Sequence, residues 1–314
     1  MEPTLGSPWM WGAFLAFVLA MLALDLGVFH RTAHRVSLKE AAIWSGVWVG
    51  LALGFAALIG TTYGSERGVE FLTGYLIEKA LSIDNIFVFV LIFGAFAVPE
   101  AYQHRVLFWG ILGALVMRAL FVALGAALLA KFHWVLYLFG GFLLITGVKM
   151  LWLRNAAFDP RDNPIFRLFR RFVPAVDRYH GPAFTVVQNG KRYATPLLLV
   201  LVAVELTDVI FAVDSVPAIF AVTRDPFLVF TSNIFAILGL RSLYFLLAGV
   251  VDRFHHLKVG LSLVLVFVGG KMLAVDVVKV PPFASLGIIA LLVGGSVATS
   301  LLWPKRSTAL PEVG

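Results

Sequence analysis

The chain of 314 residues has no cysteine. That excludes disulfides, thiolate metal ligation and thiol redox chemistry. Charge is sparse, with Asp, Glu, Lys and Arg making up 14% of the residues. The seven histidines (30, 34, 104, 133, 180, 255 and 256) avoid the middle of every apolar run. Buried sites for copper or zinc therefore lack their usual ligands. H-E-x-x-H is absent, and no Ser–His or Ser–Lys dyad lies inside an apolar run, so neither an intramembrane protease nor any other enzyme is expected. A removable signal peptide is not expected either. The first apolar run, Trp9 to Phe29, is too long for a signal core, no Lys or Arg precedes it, and no A-x-A site follows.

Apolar side chains, by contrast, are abundant. They make up 60% of the chain, and the mean hydropathy is +0.92. A water-soluble fold cannot bury that much, so the sequence predicts an all-α polytopic membrane protein. Nine transmembrane helices are expected, over 9–29, 41–60, 70–97, 105–130, 134–153, 195–222, 227–250, 258–278 and 284–303. The net charge of +7 is not read as nucleic-acid binding, because the bases gather in alternate loops. Sixteen Lys and Arg fall on one side, eight of them between 154 and 194. Only Arg67, Lys131, Arg224 and Lys279 fall on the other. By the positive-inside rule the N-terminus lies outside and the C-terminus in the cytoplasm. In the long cytoplasmic loop, the basic amphipathic stretch Pro164–Val173 reads as a topology anchor, although it could lie on the inner leaflet. Asn189-Gly190 between β-formers predicts a small hairpin. Gly140-Gly141 and Gly269-Gly270 predict close helix packing.

An internal repeat gives the organisation. The third span holds Glu78, five residues, Asp84 and Asn85; the sixth holds Asp208, five residues, Asp214 and Ser215. R118-A-L-F in the fourth span matches R241-S-L-Y in the seventh. G147-V-K149-M-L in the fifth matches G269-G-K271-M-L in the eighth. A unit of three spans re-enters from the opposite side, so the copies form two inverted three-helix repeats, a recurrent transporter architecture. The expected units are 1–69, the repeat 70–153, the loop 154–194, the repeat 195–280, and a last helix with its tail over 281–314.

Carboxylates inside apolar runs are costly and mark functional sites by default. The acids are Asp25, Glu78, Asp84, Glu205, Asp208 and Asp214. The bases expected to be buried are Lys79, Arg118, Lys149, Arg241 and Lys271. This near-balance leaves open that much of the network is simple ion pairing. The bases are also candidates for gating, with Arg118 matching Arg241 and Lys149 matching Lys271. Acids six apart stand about 9 Å and 120° apart on a helix. They converge on one ion only if the helix unwinds between them or acids of the other repeat join in. Pro217 frees the carbonyl of Val213. Asn85, Asn233, Ser82, Thr207 and Ser215 complete a hard, oxygen-only donor set suited to Mg²⁺, Mn²⁺ or Ca²⁺.

E-K-A-L-S-I-D-N at 78–85 and E-L-T-D-V-I-F-A-V-D-S-V-P-A at 205–218 resemble the signature segments of the TerC family of bacterial membrane proteins. D-L-G-V-F-H-R at 25–31 and N-G-K-R-Y-A-T-P-L at 189–197 are similar to further family segments, and within the family the Alx branch is nearest. The resemblance implies an inner-membrane protein of the LysE-type transporter superfamily, tied to manganese export and pH-responsive metal homeostasis. The expected function is therefore export of a divalent cation, Mn²⁺ by resemblance. Glu78, Asp84, Asn85, Asp208, Asp214 and Ser215 would form or flank the ion site, with Glu205 and Asp25 behind them. An exporter of a cationic organic solute, or a membrane scaffold for metal delivery or envelope stress, stays open. The expected partners are the bilayer and the cation, not nucleic acid. The sequence is compatible with a homo-oligomer and leaves the oligomeric state open.

Overall fold

The computed structural model describes residues 4–27, 37–132, 134–152, 173–248, 256–278 and 280–303. Pro164–Phe172, most of the expected basic anchor, lies outside them, as do the side chains of Asp25 and Asp84.

Among the described residues, a helix lies in each of the nine apolar segments. They are α1 (Pro8–Gly27), α2 (Leu38–Tyr63), α3 (Ser65–Ala95), α4 (Glu100–Lys131), α5 (Val135–Trp152), α6 (Pro196–Phe220), α7 (Pro226–Leu238) continued by α8 (Leu240–Leu247), α9 (Leu257–Leu273) and α10 (Pro282–Leu302). The starts are written in the sequence. Ser37 caps α2 by accepting from the Glu40 N–H at 3.2 Å. Proline opens α6, α7 and α10, where its missing N–H costs nothing. Six helices, counting α7 with α8 as one, are long and apolar enough to cross a membrane by length and composition. Of the rest, α3 carries Glu70, Glu78, Lys79 and Asp84, α9 has 17 residues, and Pro8–Ala23 of α1 is a shorter apolar helix.

Between α5 and α6 the chain forms one antiparallel hairpin, β1 (Thr185–Gln188) with β2 (Lys191–Ala194). Asn189 and Gly190 turn it with φ of +52° and +74°. Both values are positive, as a two-residue turn matching the strand twist requires. The hairpin is anchored beneath α3 and α4. The Tyr179 hydroxyl donates to the Phe96 carbonyl at 2.7 Å, and the Arg105 guanidinium lies 5.0 Å from the centre of the Phe184 ring. Burial pushes the Tyr179 phenol above its ordinary pKa, so it stays a donor.

In the bundle, α3 packs on α6 and α7, α6 on α4, and α5 along α9. Glycine permits the last contact. A Cβ on Gly269 would lie 2.7 Å from the Gly140 carbonyl oxygen, and one on Gly147 2.8 Å from that of Ser262. The largest apolar cluster sits between α1, α2, α3 and α7, where Trp11, Phe14, Phe55, Phe71, Phe227 and Phe235 interlock. Asp225 fastens the chain start to this cluster. Its carboxylate caps α7 through the Phe227 N–H at 2.8 Å and accepts from Thr4 Oγ1 at 2.9 Å and Leu5 N at 2.6 Å.

Candidate cation site

Steps of four and three put Glu78, Ser82 and Asn85 on one stripe of α3, and all three are buried. A step of seven does the same for Asp208 and Ser215 on α6. The two stripes meet at Arg118 of α4, whose side chain is wholly enclosed. Its NH2 lies 3.0 Å from Glu78 Oε1 and 3.8 Å from Asp208 Oδ1, and its NH1 donates to Ser215 Oγ. From α7, Asn233 Nδ2 donates to Glu78 Oε2 at 3.4 Å.

The cluster thus holds two carboxylates against one guanidinium. It also leaves acceptors unused: Ser82 Oγ, Asn85 Oδ1, Asp208 Oδ2 and Asn233 Oδ1 are buried without a hydrogen-bond partner. Each such group costs about 1–3 kcal/mol of unrepaid desolvation. A cation is the species that a set of bare oxygens would satisfy. A divalent ion in place of the guanidinium would balance the two carboxylates.

The other predicted residues lie elsewhere. Both α3 and α6 are continuous through their acidic segments. On α6 the acids six apart therefore do not converge by unwinding: Asp208 reaches the cluster, as Glu78 does from α3, and Asp214 does not. Asp214, about 120° around α6 from Asp208, is half-buried and faces the Thr146 hydroxyl of α5. Thr146 escaped the sequence reading; its signal was a lone hydroxyl in the apolar run L-L-I-T-G. Glu205 lies half-buried against Gly113 of α4, where any Cβ would collide with its carboxylate.

Among the bases, Lys79 Nζ reaches the Ala236 carbonyl at 3.4 Å, and Lys271 Nζ reaches Ser285 Oγ at 3.0 Å. Lys149 corrects the expectation of burial, because its side chain is exposed. The inner face of α5 runs through Leu136, Gly140, Leu143 and Gly147 in steps of four, three and four, and position 149 stands off that stripe. Among the described residues, no three His, Asp or Glu side chains gather closely enough to hold a metal. Among the described side chains, the arginine-paired cluster is the candidate site.

A small cleft adjoins this cluster, with a cavity volume of about 10 Å³, room for about one water molecule. Phe89, Gly110, Ala114, Val204 and Leu240 line it, and Asp208 and Arg241 are its charged walls.

The family model described as "Integral membrane protein TerC family" matches residues 63–308. The uncharacterized membrane protein STKORF319 of Myxococcus xanthus is 59% identical over 305 residues, which cover 97% of this chain and 96% of that one. A protein of Escherichia coli strain K12, provisionally named membrane-bound redox modulator Alx, is 50% identical over 295 residues, covering 91% and 92% of the two chains. An uncharacterized membrane protein of Rickettsia bellii is 40% identical over 290 residues, covering 92% and 96%. No solved structure matches.

Proposed function

The chain belongs to the TerC family of integral membrane proteins, and from that premise we propose that it is a bacterial inner-membrane carrier exporting a hard divalent cation, Mn²⁺ foremost. The observation that carries this reading is the Arg118 cluster, with its two carboxylates, one exchangeable positive charge and four bare oxygens. In this reading Arg118 holds the place of the cargo. The incoming ion takes Glu78 and Asp208 with the oxygens of Ser82, Asn85, Ser215 and Asn233, and the guanidinium moves aside. Protons on the same carboxylates can serve as the counter-cargo.

Nine spans, an outside N-terminus and inverted repeats belong to the same reading. The packing supports the repeats in part: exchanging α3 with α6, α4 with α7–α8 and α5 with α9 turns the α3–α7 contact into the α6–α4 contact and the α5–α6 contact into the α9–α3 contact, and maps α3–α6, α4–α7 and α5–α9 onto themselves. Alternating access then follows as one triplet rocks against the other around a fixed midplane site. The provisional name of the Escherichia coli relative speaks of redox modulation; in this chain such a role could not run through thiols, because it has none.

The test is Mn²⁺ flux into proteoliposomes, with Ca²⁺, Mg²⁺ and a basic amino acid as competing cargoes. Flux of Mn²⁺ lost in Asp208→Asn supports the proposal. Flux of the amino acid alone would replace it with an organic-cation carrier. Binding of Mn²⁺ without flux of any cargo would replace it with a metal-delivery role.

A further inference from the structure

The cleft beside Asp208 ends in a second layer of side chains. Each member lies one helical turn beyond a residue that lines the cleft. On α3, Phe93 follows Phe89; on α4, Gln103 precedes Leu107; on α6, Val200 precedes Val204; on α8, Tyr244 follows Leu240 and Arg241. Four residues rise about 6 Å, so four helices bring their next turn to the same end of the cleft.

There the side chains meet. Tyr244 is 3% exposed, and its hydroxyl donates to Gln103 Oε1 at 2.9 Å. Gln103 Nε2 is held in turn by the Val98 carbonyl at 3.2 Å. The Phe93 and Tyr244 rings stand edge to face at 5.5 Å. Phe93, Val200 and Tyr244 belong to one buried cluster with Phe89, Leu107, Val204 and Leu240. Phe89 and Val204 line the cleft wall and the cap continues it. The other end of the cleft leads inward, since Ala114 is one turn from Arg118 and Val204 one turn from Asp208.

The cap rests on a separate short helix. Gly239 separates α8 from α7, with φ −81° and ψ −2°. The place of a Cβ there is taken by Lys79 Nζ at 2.7 Å and Trp48 Cβ at 3.2 Å. The corresponding helix of the other triplet, α4, is unbroken over 32 residues. α8 is eight residues long and carries both cleft-lining Arg241 and Tyr244. Turning it about Gly239 would withdraw Tyr244 from Gln103.

We propose that this cleft is the loading passage from the cytoplasmic side to the Arg118 cluster, and that Tyr244 and Gln103 form its closure, hinged at Gly239. The direction rests on the charge alternation, and the role as a loading passage rests on the carrier reading above. The closure itself needs neither.

The chain lacks cysteine, so Ala114→Cys in the cleft wall would be its single thiol. The rate of modification of that thiol is measured with 2-sulfonatoethyl methanethiosulfonate, which does not cross bilayers, in inside-out and in right-side-out vesicles. Tyr244→Phe should speed modification from the inner face by about three- to tenfold, the range for one hydrogen bond lost from a closed state. Gln103→Ala should do the same, and the double variant should add little, since both remove one bond. Equal rates in the parent and all three variants would overturn the closure. Faster modification from the outer face would overturn the direction. If the variants open the cleft but no cargo moves through the wild type, the closure stands and the carrier reading falls.

Discussion

Arg118 and Arg241 occupy matching places in the sequence repeat proposed above, yet their surroundings differ. Arg118 sits on an unbroken helix, wholly enclosed between Glu78, Asp208 and Ser215. Arg241 sits just after the Gly239 break and lines a cleft with Asp208. The two three-helix units thus hold unlike conformations in one molecule. Under the proposed alternating access, exchange of those conformations would be the working cycle. Arg118 contacts the acids, while Arg241 lines the cleft beside Asp208.

The largest effect should come from breaking the enclosed side of that comparison. Arg118→Leu leaves Glu78 and Asp208 buried without their counter-charge, a loss of about 3–5 kcal/mol for a broken buried pair. Arg241→Leu should cost less, because it leaves the contacts of Arg118 with Glu78 and Asp208 in place. Thermal unfolding of the two purified variants checks this, and equal losses would mean the arginines are equivalent after all.

A smaller effect is expected where the triplets touch through their third helices. Gly269→Ala forces a methyl group against the Gly140 carbonyl and the Leu144 backbone, while Gly270→Ala meets open space. Overpacking of this kind costs about 1–3 kcal/mol. Unfolding midpoints should therefore fall for the first variant and not for the second. If both are neutral, α5 and α9 are not held at backbone contact.

The smallest effect belongs to the hairpin, outside the comparison. Gly190→Ala at φ +74° costs about 1–2 kcal/mol locally. It should raise proteolysis at the turn and leave cation flux unchanged. Altered flux would mean that the hairpin takes part in transport.

Much of the helical frame was legible because apolar length and loop composition write it directly. Asn189-Gly190 gave the hairpin for the same reason, since few other pairs accept two positive φ values. The site was legible only in part. Glu78, Asp208, Ser215 and Arg118 stood out as polar groups in apolar runs, and Arg118 does bring the other three together. Asp214 stood out equally, but spacing alone could not say whether Asp208 or Asp214 turns towards Arg118. That choice depends on which stripe of α6 faces α3 and α4. Lys149 was misjudged because its match to Lys271 is a match of sequence, whereas its burial is set by the phase of the α5 glycine stripe. Gln103 and Tyr244 gave no signal, since their meaning arises only from a contact across 141 positions.

The most direct test of the central claim is Mn²⁺ flux in proteoliposomes, read with an internal metal-sensitive dye, for wild type, Asp208→Asn and Asp214→Asn. The account predicts robust flux in the wild type, loss of at least about tenfold in Asp208→Asn, as expected for removing a charged ligand, and a distinctly milder change in Asp214→Asn. Flux that survives Asp208→Asn and vanishes in Asp214→Asn would contradict it, moving the cargo from the Arg118 cluster to the face of α6 that meets Thr146.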